Sequence, residues 1–183
     1  MPALALATRP LAALLLVGMA CSSDPATDRR IPREPKVERW VAAAHIAAPP
    51  ELVWQVLVDF DAYAQWNPWL VEAHGDARVG AAVDARVELK GKTRRAAHKV
   101  FEVDAPHRFC WRDAGATTAF ATGSRCRVLE DDGAGGTDYR VELWVGGSFR
   151  RSVRKNYGPS LDDGMRAETE ALLRRAEALA GGS

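Results

Sequence analysis

The segment "PSLDDGMRAETEALLRRAEALA", residues 159–180, limits the folds open to this chain more than any other. Leu161, Met165, Thr169, Leu172 and Ala176 recur at helical spacing and form one stripe, with Arg and Glu filling the other side. Pro159 fits a first helical position, and Asp162 and Asp163 suit the positive end of the helix dipole. The spacing predicts one long helix starting at Pro159, with "RRSVRKN" before it as a separate basic turn. A helix that is apolar on one side must lay that side on something, and the rest of the chain offers a sheet.

Upstream, the hydrophobic period is two. In "AVDARVELK", Val83, Ala85, Val87 and Leu89 alternate with charged neighbours. A hairpin signal, "GK" at 91–92, follows, and "AHKVFEVD" is parted from "HRFCWRD" only by "AP". "ATGSRCRVLED" runs through the loop "DGAGG" into "DYRVELWVGG", where Tyr139, Val141, Leu143 and Val145 oppose Arg140, Glu142 and Trp144. Short connections between sequential strands favour an antiparallel meander. Ahead of these, "KVERWVAAAHIAAP" reads as a strand ended by Pro49 and Pro50. "PELVWQVLVDF" then sets Val53, Val56, Leu57 and Phe60 on one face of a short helix.

"DAYAQWNPW" continues as a second helical turn that Pro68 terminates. One turn sets the rings of Tyr63 and Trp66 on the same side. Asn67 can bond the backbone freed at the stop, and Trp69 is thrown onto the start of the sheet. The expected fold is therefore α+β: a curved antiparallel sheet wrapped around a long C-terminal helix, with two short helices after the first strand closing the open end. A curved sheet and a straight helix leave a gap, so a cavity is expected.

The N-terminus carries an address. "MPALALATRPLAALLLVGMAC" has one basic residue, Arg9, and then an apolar run from Leu11 to Ala20, too short to span a bilayer of about 30 Å. This is the pattern of a bacterial export signal over residues 1–21. "GMACSS" resembles the lipobox of bacterial lipoproteins, in which Cys21 would be lipidated, although Gly18 stands where an aliphatic residue is preferred. Gly18 and Ala20 also satisfy the small-x-small rule of ordinary signal cleavage. Residues 22–36, "SSDPATDRRIPREPK", hold three prolines and no aromatic residue, as a flexible tether does. The expected localisation is the cell envelope, either as a lipoprotein anchored in the membrane through its N-terminal lipid or as a secreted or periplasmic protein.

With 25 Lys and Arg against 24 Asp and Glu, the chain lacks the basic footprint that a nucleic-acid partner needs. In an exported protein Cys110 and Cys126 are a disulfide candidate; two small buried thiols are the alternative. His45, His74, His98 and His107 show no metal-ligand spacing and read as surface or core residues. No nucleophile motif and no phosphate-binding glycine loop occurs in the sequence, so neither a catalytic set, a metal nor a cofactor is expected.

The order of elements, with "IAAPPELVWQVLVDFDAYAQWNPW" at 46–69, "GDARVGAAVDARVEL" at 75–89, "DAPHRFCWR" at 104–112 and the closing helix, resembles the START-like (SRPBCC) superfamily. The resemblance is to its polyketide cyclase/dehydrase-like branch and covers residues 37–180, nearly all of the expected mature domain. It implies a helix-grip fold with a deep hydrophobic pocket, in a group that binds lipids, steroids, hormones or aromatic polyketides. Relatively few members are enzymes, and no catalytic set is shared.

Candidate ligand-binding positions on such a pocket are Tyr63, Trp66, Val87, Phe109, Trp111, Arg125, Tyr157, Leu161 and Met165. Arg125 and Arg127 share one strand face, opposite Cys126 and Val128. Facing inward, the two arginines would pair with a carboxylate or fix an acidic head group; facing outward, they would be solvated. Arg150, Arg151, Arg154 and Lys155 read as a solvated helix face, or else as a contact for anionic lipid heads. The leading functional expectation is a tethered binding module for a small hydrophobic molecule or lipid. The alternative is a cyclase or aromatase-type enzyme in which Arg125, Tyr157 or Glu142 assists proton transfer. An envelope interaction protein with a filled pocket is a third reading.

Overall fold

A computed structural model describes residues 36–182. The expected signal, Cys21 and the tether up to residue 35 lie outside the described residues. Seven strands form one antiparallel sheet: β1 (Glu38–Ile46), β2 (Leu70–Gly75), β3 (Ala82–Leu89), β4 (Lys92–Asp104), β5 (Arg108–Asp113), β6 (Thr122–Asp131) and β7 (Thr137–Gly146). Their order is β1-β7-β6-β5-β4-β3-β2, a meander from β2 to β7 that the first strand completes by pairing with the last. Two helical segments, α1 (Pro50–Val58) and α2 (Tyr63–Trp66), follow β1, and a single long helix, α3 (Arg150–Gly181), ends the domain. This is the helix-grip arrangement.

Local chemistry sets the corners. Pro50 occupies the first turn of α1, and Val53, Val56, Leu57 and Phe60 are all buried. Each such side chain contributes about 1.5–3 kcal/mol when fully withdrawn from water. At the end of α2 Asn67 turns extended, and its Oδ1 accepts hydrogen bonds from the N–H groups of Trp69 (3.0 Å) and Leu70 (2.8 Å). These two hydrogen bonds replace the helical pairing lost before Pro68 and start β2. The hairpin between β3 and β4 turns at Lys90 and Gly91, both at positive φ (56° and 69°). Glycine takes such a conformation without strain.

Two expectations about α3 are corrected. The helix begins at Arg150 rather than Pro159, and the basic segment is its first two turns rather than a separate one. Pro159 removes one N–H from the ladder, but the residue before it is Gly158, which has no Cβ to crowd the proline ring. Gly158 also packs over Trp40 of β1, where an added Cβ would lie 3.8 Å from the ring, and Arg154 pairs with Glu38 at 3.4 Å. Packing on β1 therefore holds the helix continuous through the proline.

Cys110 and Cys126 face each other on β5 and β6 and are joined by a disulfide. They alternate with Phe109, Trp111, Arg125 and Arg127, whose side chains point into the grip, so the disulfide lies on the outer face of the sheet. Arg108 and Glu102, paired at 2.9 Å, lie beside it. Glu102 is close to both sulfurs, but these are bonded to each other and offer no thiolate to a metal.

Candidate functional site

The gap predicted between sheet and helix exists. A cavity of about 620 Å³ lies between β3–β7 and the N-terminal half of α3. Its wall is mainly apolar, formed by residues such as Trp69, Val87, Trp111, Leu143, Val145, Val153 and Leu161. Polar groups converge on it from His98, Asp113 and Arg125, with Asp84 level with His98 and Arg94 and Arg95 toward the hairpin end of the sheet.

Behind this wall sits a cluster of buried charges. Arg125 and Arg127 both point inward from β6 and both donate to Glu168 of α3, Arg127 at 3.1 Å to Oε1 and Arg125 to Oε2. The two guanidiniums also lie over aromatic rings, Arg125 at 4.6 Å from Trp69 and Arg127 at 4.3 Å from Trp111. Burial alone would push the Glu168 carboxyl up, but the attraction of the two arginines outweighs it and holds the group below the usual carboxylate range. Burial pushes Tyr139 up to about 12 and Tyr63 higher still, so both phenols stay neutral. Two cations thus face one anion, and the Nε and Nη1 of Arg127 are buried without a hydrogen-bond partner among the described residues. Arg125 is on the cavity wall, and its Nε is buried without a hydrogen-bond partner among the described residues.

His98 and Asp113 complete the polar side. The imidazole stacks on Trp111, with ring centres 4.7 Å apart, and its Nε2 lies 3.7 Å from Asp113 Oδ1. Burial, followed by repulsion from Arg125 and Arg127, lowers His98 to about 4, so the ring is neutral at pH 7. Burial raises Asp113, tempered by the Gly123 N–H that donates to its Oδ2 at 2.7 Å. At neutral pH the cavity therefore presents a neutral imidazole beside a carboxyl group, with a fixed guanidinium on the same wall.

Of the nine candidate positions, Val87, Trp111, Arg125 and Leu161 stand on the cavity wall. Tyr63, Phe109 and Met165 do not: they are fully buried in the core between sheet and helices. Tyr63 donates to the Leu57 carbonyl at 2.7 Å and meets Trp66 edge-on at 5.0 Å, the same-side geometry expected from their spacing. Both rings close the opposite end of the grip. Trp66 lines a small outer groove of about 170 Å³ between α1 and α3. Tyr157 stands beside the cavity, one turn from both Val153 and Leu161, under the cations of Lys90 and Arg94 at 5.9 Å each. Glu142 lies on the outer face, paired with Arg39 and Arg140.

Trp69, Glu168, His98 and Asp113 are the site residues that sequence reasoning missed. Glu168 had a legible signal, since it lies three residues after Met165 and four before Leu172, inside the apolar stripe. Trp69 owes its place to Gly164 of α3, where a Cβ would come within 2.4 Å of the indole nitrogen. Only a glycine lets the ring lie flat on the helix.

Among curated proteins none matches the chain. Among solved structures, the Zhui aromatase/cyclase from a Streptomyces strain superimposes with a TM-score of 0.66 at 18% identity, over 78% of this chain and 94% of that one. The norcoclaurine synthase of Thalictrum flavum, solved with dopamine and hydroxybenzaldehyde, gives 0.63 at 12% identity, over 81% of this chain and 90% of that one. A protein of Thermus thermophilus gives 0.64 at 20% identity, over 80% of this chain and all of that one. At these identities the likeness is one of fold. The family model for polyketide cyclase/dehydrase and lipid transport proteins matches residues 38–180, the whole of the helix grip, and the chain belongs to that family.

Proposed function

We propose that this protein is an exported, membrane-tethered binding module that holds a small hydrophobic molecule with an anionic end. The observation that carries the reading is the cavity itself. Its volume falls within the range of about 300–1,000 Å³ usual for small-molecule sites, its wall is mainly apolar, and the buried Arg125 lies on that wall. An acidic head group beside Arg125 would balance the excess charge that Glu168 leaves. Export is supported by the signal-like N-terminus and by the Cys110–Cys126 disulfide, a bond that persists in oxidising compartments. Lipidation of Cys21 rests on the lipobox-like "GMACSS" alone.

The test is native mass spectrometry of protein purified from its own host, with extraction of bound lipid, beside uptake of anilinonaphthalene sulfonate, a probe both apolar and anionic. Binding that is weakened about tenfold by Arg125→Gln, with a fatty acid competing better than the matching alcohol, supports the reading. A chain that carries nothing and takes up no probe overturns it.

The juxtaposition of His98 and Asp113 favours a second reading, a cyclase or aromatase-type enzyme. A neutral imidazole can accept a proton, and the Asp113 carboxyl beside it can hold the ring in place. The three structural relatives named above include two whose names denote enzymes. Turnover of a polyketide-like substrate that falls in both His98→Gln and Asp113→Asn, with probe uptake kept, would select this reading.

A further inference from the structure

Phe120 and Phe149 are more than half exposed, at 55% and 57%, yet their rings stack 5.3 Å apart and nearly parallel. The pair is held in place by backbone. The Phe149 N–H donates to the Phe120 carbonyl at 3.0 Å, and the two segments come this close because residue 147 is glycine. Gly147 has a φ of +96°, and a Cβ there would lie 2.4 Å from that same carbonyl oxygen. A fixed, solvent-facing aromatic pair on a folded domain marks a contact surface.

Its position is the rim of the cavity. Ala121, next to Phe120, lines the cavity, as does Val153, one turn after Phe149. The rim is also basic. The first two turns of α3 carry Arg150, Arg151, Arg154 and Lys155, and the first turn holds no acid. Cations at the positive end of a helix oppose its dipole, so this placement does not serve the helix. Arg154 is engaged by Glu38 and Arg150 by the Gly147 carbonyl, whereas Arg151 and Lys155 point to solvent. The β3–β4 hairpin adds Lys90 and Arg94, both exposed and both over Tyr157. The acids Asp162 and Asp163 begin seven residues after Lys155, about 10 Å along the helix and so about one Debye length away.

We propose that this rim is a docking surface for an anionic phospholipid bilayer. Phe120 and Phe149 enter the apolar boundary, while Arg151, Lys155, Lys90 and Arg94 meet the headgroup phosphates, and the cavity opens toward the lipid. Aromatic wedge and basic ring together fit a membrane interface, in which one surface must satisfy both apolar and anionic chemistry. The proposal rests on the binding reading only for what crosses the rim.

The test uses the full chain carrying Cys21→Ser, which removes the site of the proposed lipid anchor while every variant keeps the same N-terminus. Flotation is measured with vesicles of equimolar phosphatidylcholine and phosphatidylglycerol, and with phosphatidylcholine alone. The expected result is binding to the anionic vesicles only, lost at high salt. Arg151→Ser or Lys155→Ser each lowers the partition about fivefold. Phe120→Ser with Phe149→Ser lowers it at least tenfold. Thermal melts check that these surface changes leave the fold intact. Probe uptake without vesicles reads the cavity separately, so patch-dependent flotation without uptake leaves docking standing while the binding reading falls. No flotation, equal flotation of all variants, equal binding to neutral vesicles, or a Phe120-dependent dimer in vesicle-free buffer would each overturn the proposal.

Discussion

Moving from pH 7 to pH 4 should cost the folded domain about 3 kcal/mol through His98 alone. The imidazole is buried against Trp111, and that burial, with Arg125 and Arg127 nearby, lowers it from 6.5 to about 4. In the unfolded chain it titrates near 6.5. Between those two values the unfolded state binds the proton and the folded state does not, so stability is full above about 6.5 and falls as the pH drops toward 4. One group can contribute a slope of at most about 1.4 kcal/mol per pH unit, and a span of about 2.5 units gives about 3 kcal/mol. Other groups titrate too. His74 is raised by its bonds to Asp61 and Glu72, and Asp113 is raised by burial, so both act with the opposite sign. Glu168, lowered by its arginines, loses its contribution only as pH falls below about 4.3. A variant isolates the one group. Urea unfolding, followed by the fluorescence of the six tryptophans, is measured at half-unit steps of pH for the parent and for His98→Gln. The difference between the two stability curves should change by about 3 kcal/mol across the window. Parallel curves would refute the argument, because they would show an imidazole that titrates alike in both states.

Glu168→Gln leaves two buried guanidiniums without their anion and should cost about 3–5 kcal/mol, read as a lower denaturant midpoint at pH 7. Gly164→Ala forces a methyl group into the Trp69 ring and should cost about 1–3 kcal/mol; an unchanged melting temperature would mean the ring has room to move. Reduction of the disulfide opens a closure of 16 residues and should lower stability by about 3 kcal/mol, measured by urea unfolding with and without reductant. Trp69→Ala enlarges the cavity and removes the ring under Arg125, so probe affinity should fall while the sheet remains intact by circular dichroism.

The alternation in "AVDARVELK" and "DYRVELWVGG" and the helical stripe through Leu161, Met165 and Leu172 were legible in one dimension, because strand and helix periods write their buried face into the sequence. The stop at Asn67–Pro68 was legible for the same local reason. The start of α3 was not. Pro159 carries a real start signal, and only the packing of Gly158 on Trp40 overrides it.

The chemistry of the cavity divides the same way. Alternation put Arg125 and Arg127 on one face and Cys126 on the other, but a strand reads the same from either side. Which face turns inward depends on where the sheet curves and what lies across from it. Glu168, 43 residues away from Arg125, makes the inward arginines tolerable, and no local pattern reports a partner at that distance. His98 and Trp69 became wall residues through the curvature of β4 and the glycine surface of α3. By itself the sequence determined the family, the order of elements and the faces of each. The tertiary structure decided which charges are buried together, where the cavity opens, and that aromatic and basic residues share its rim, because burial of charge is a property of pairs that only the fold brings into contact.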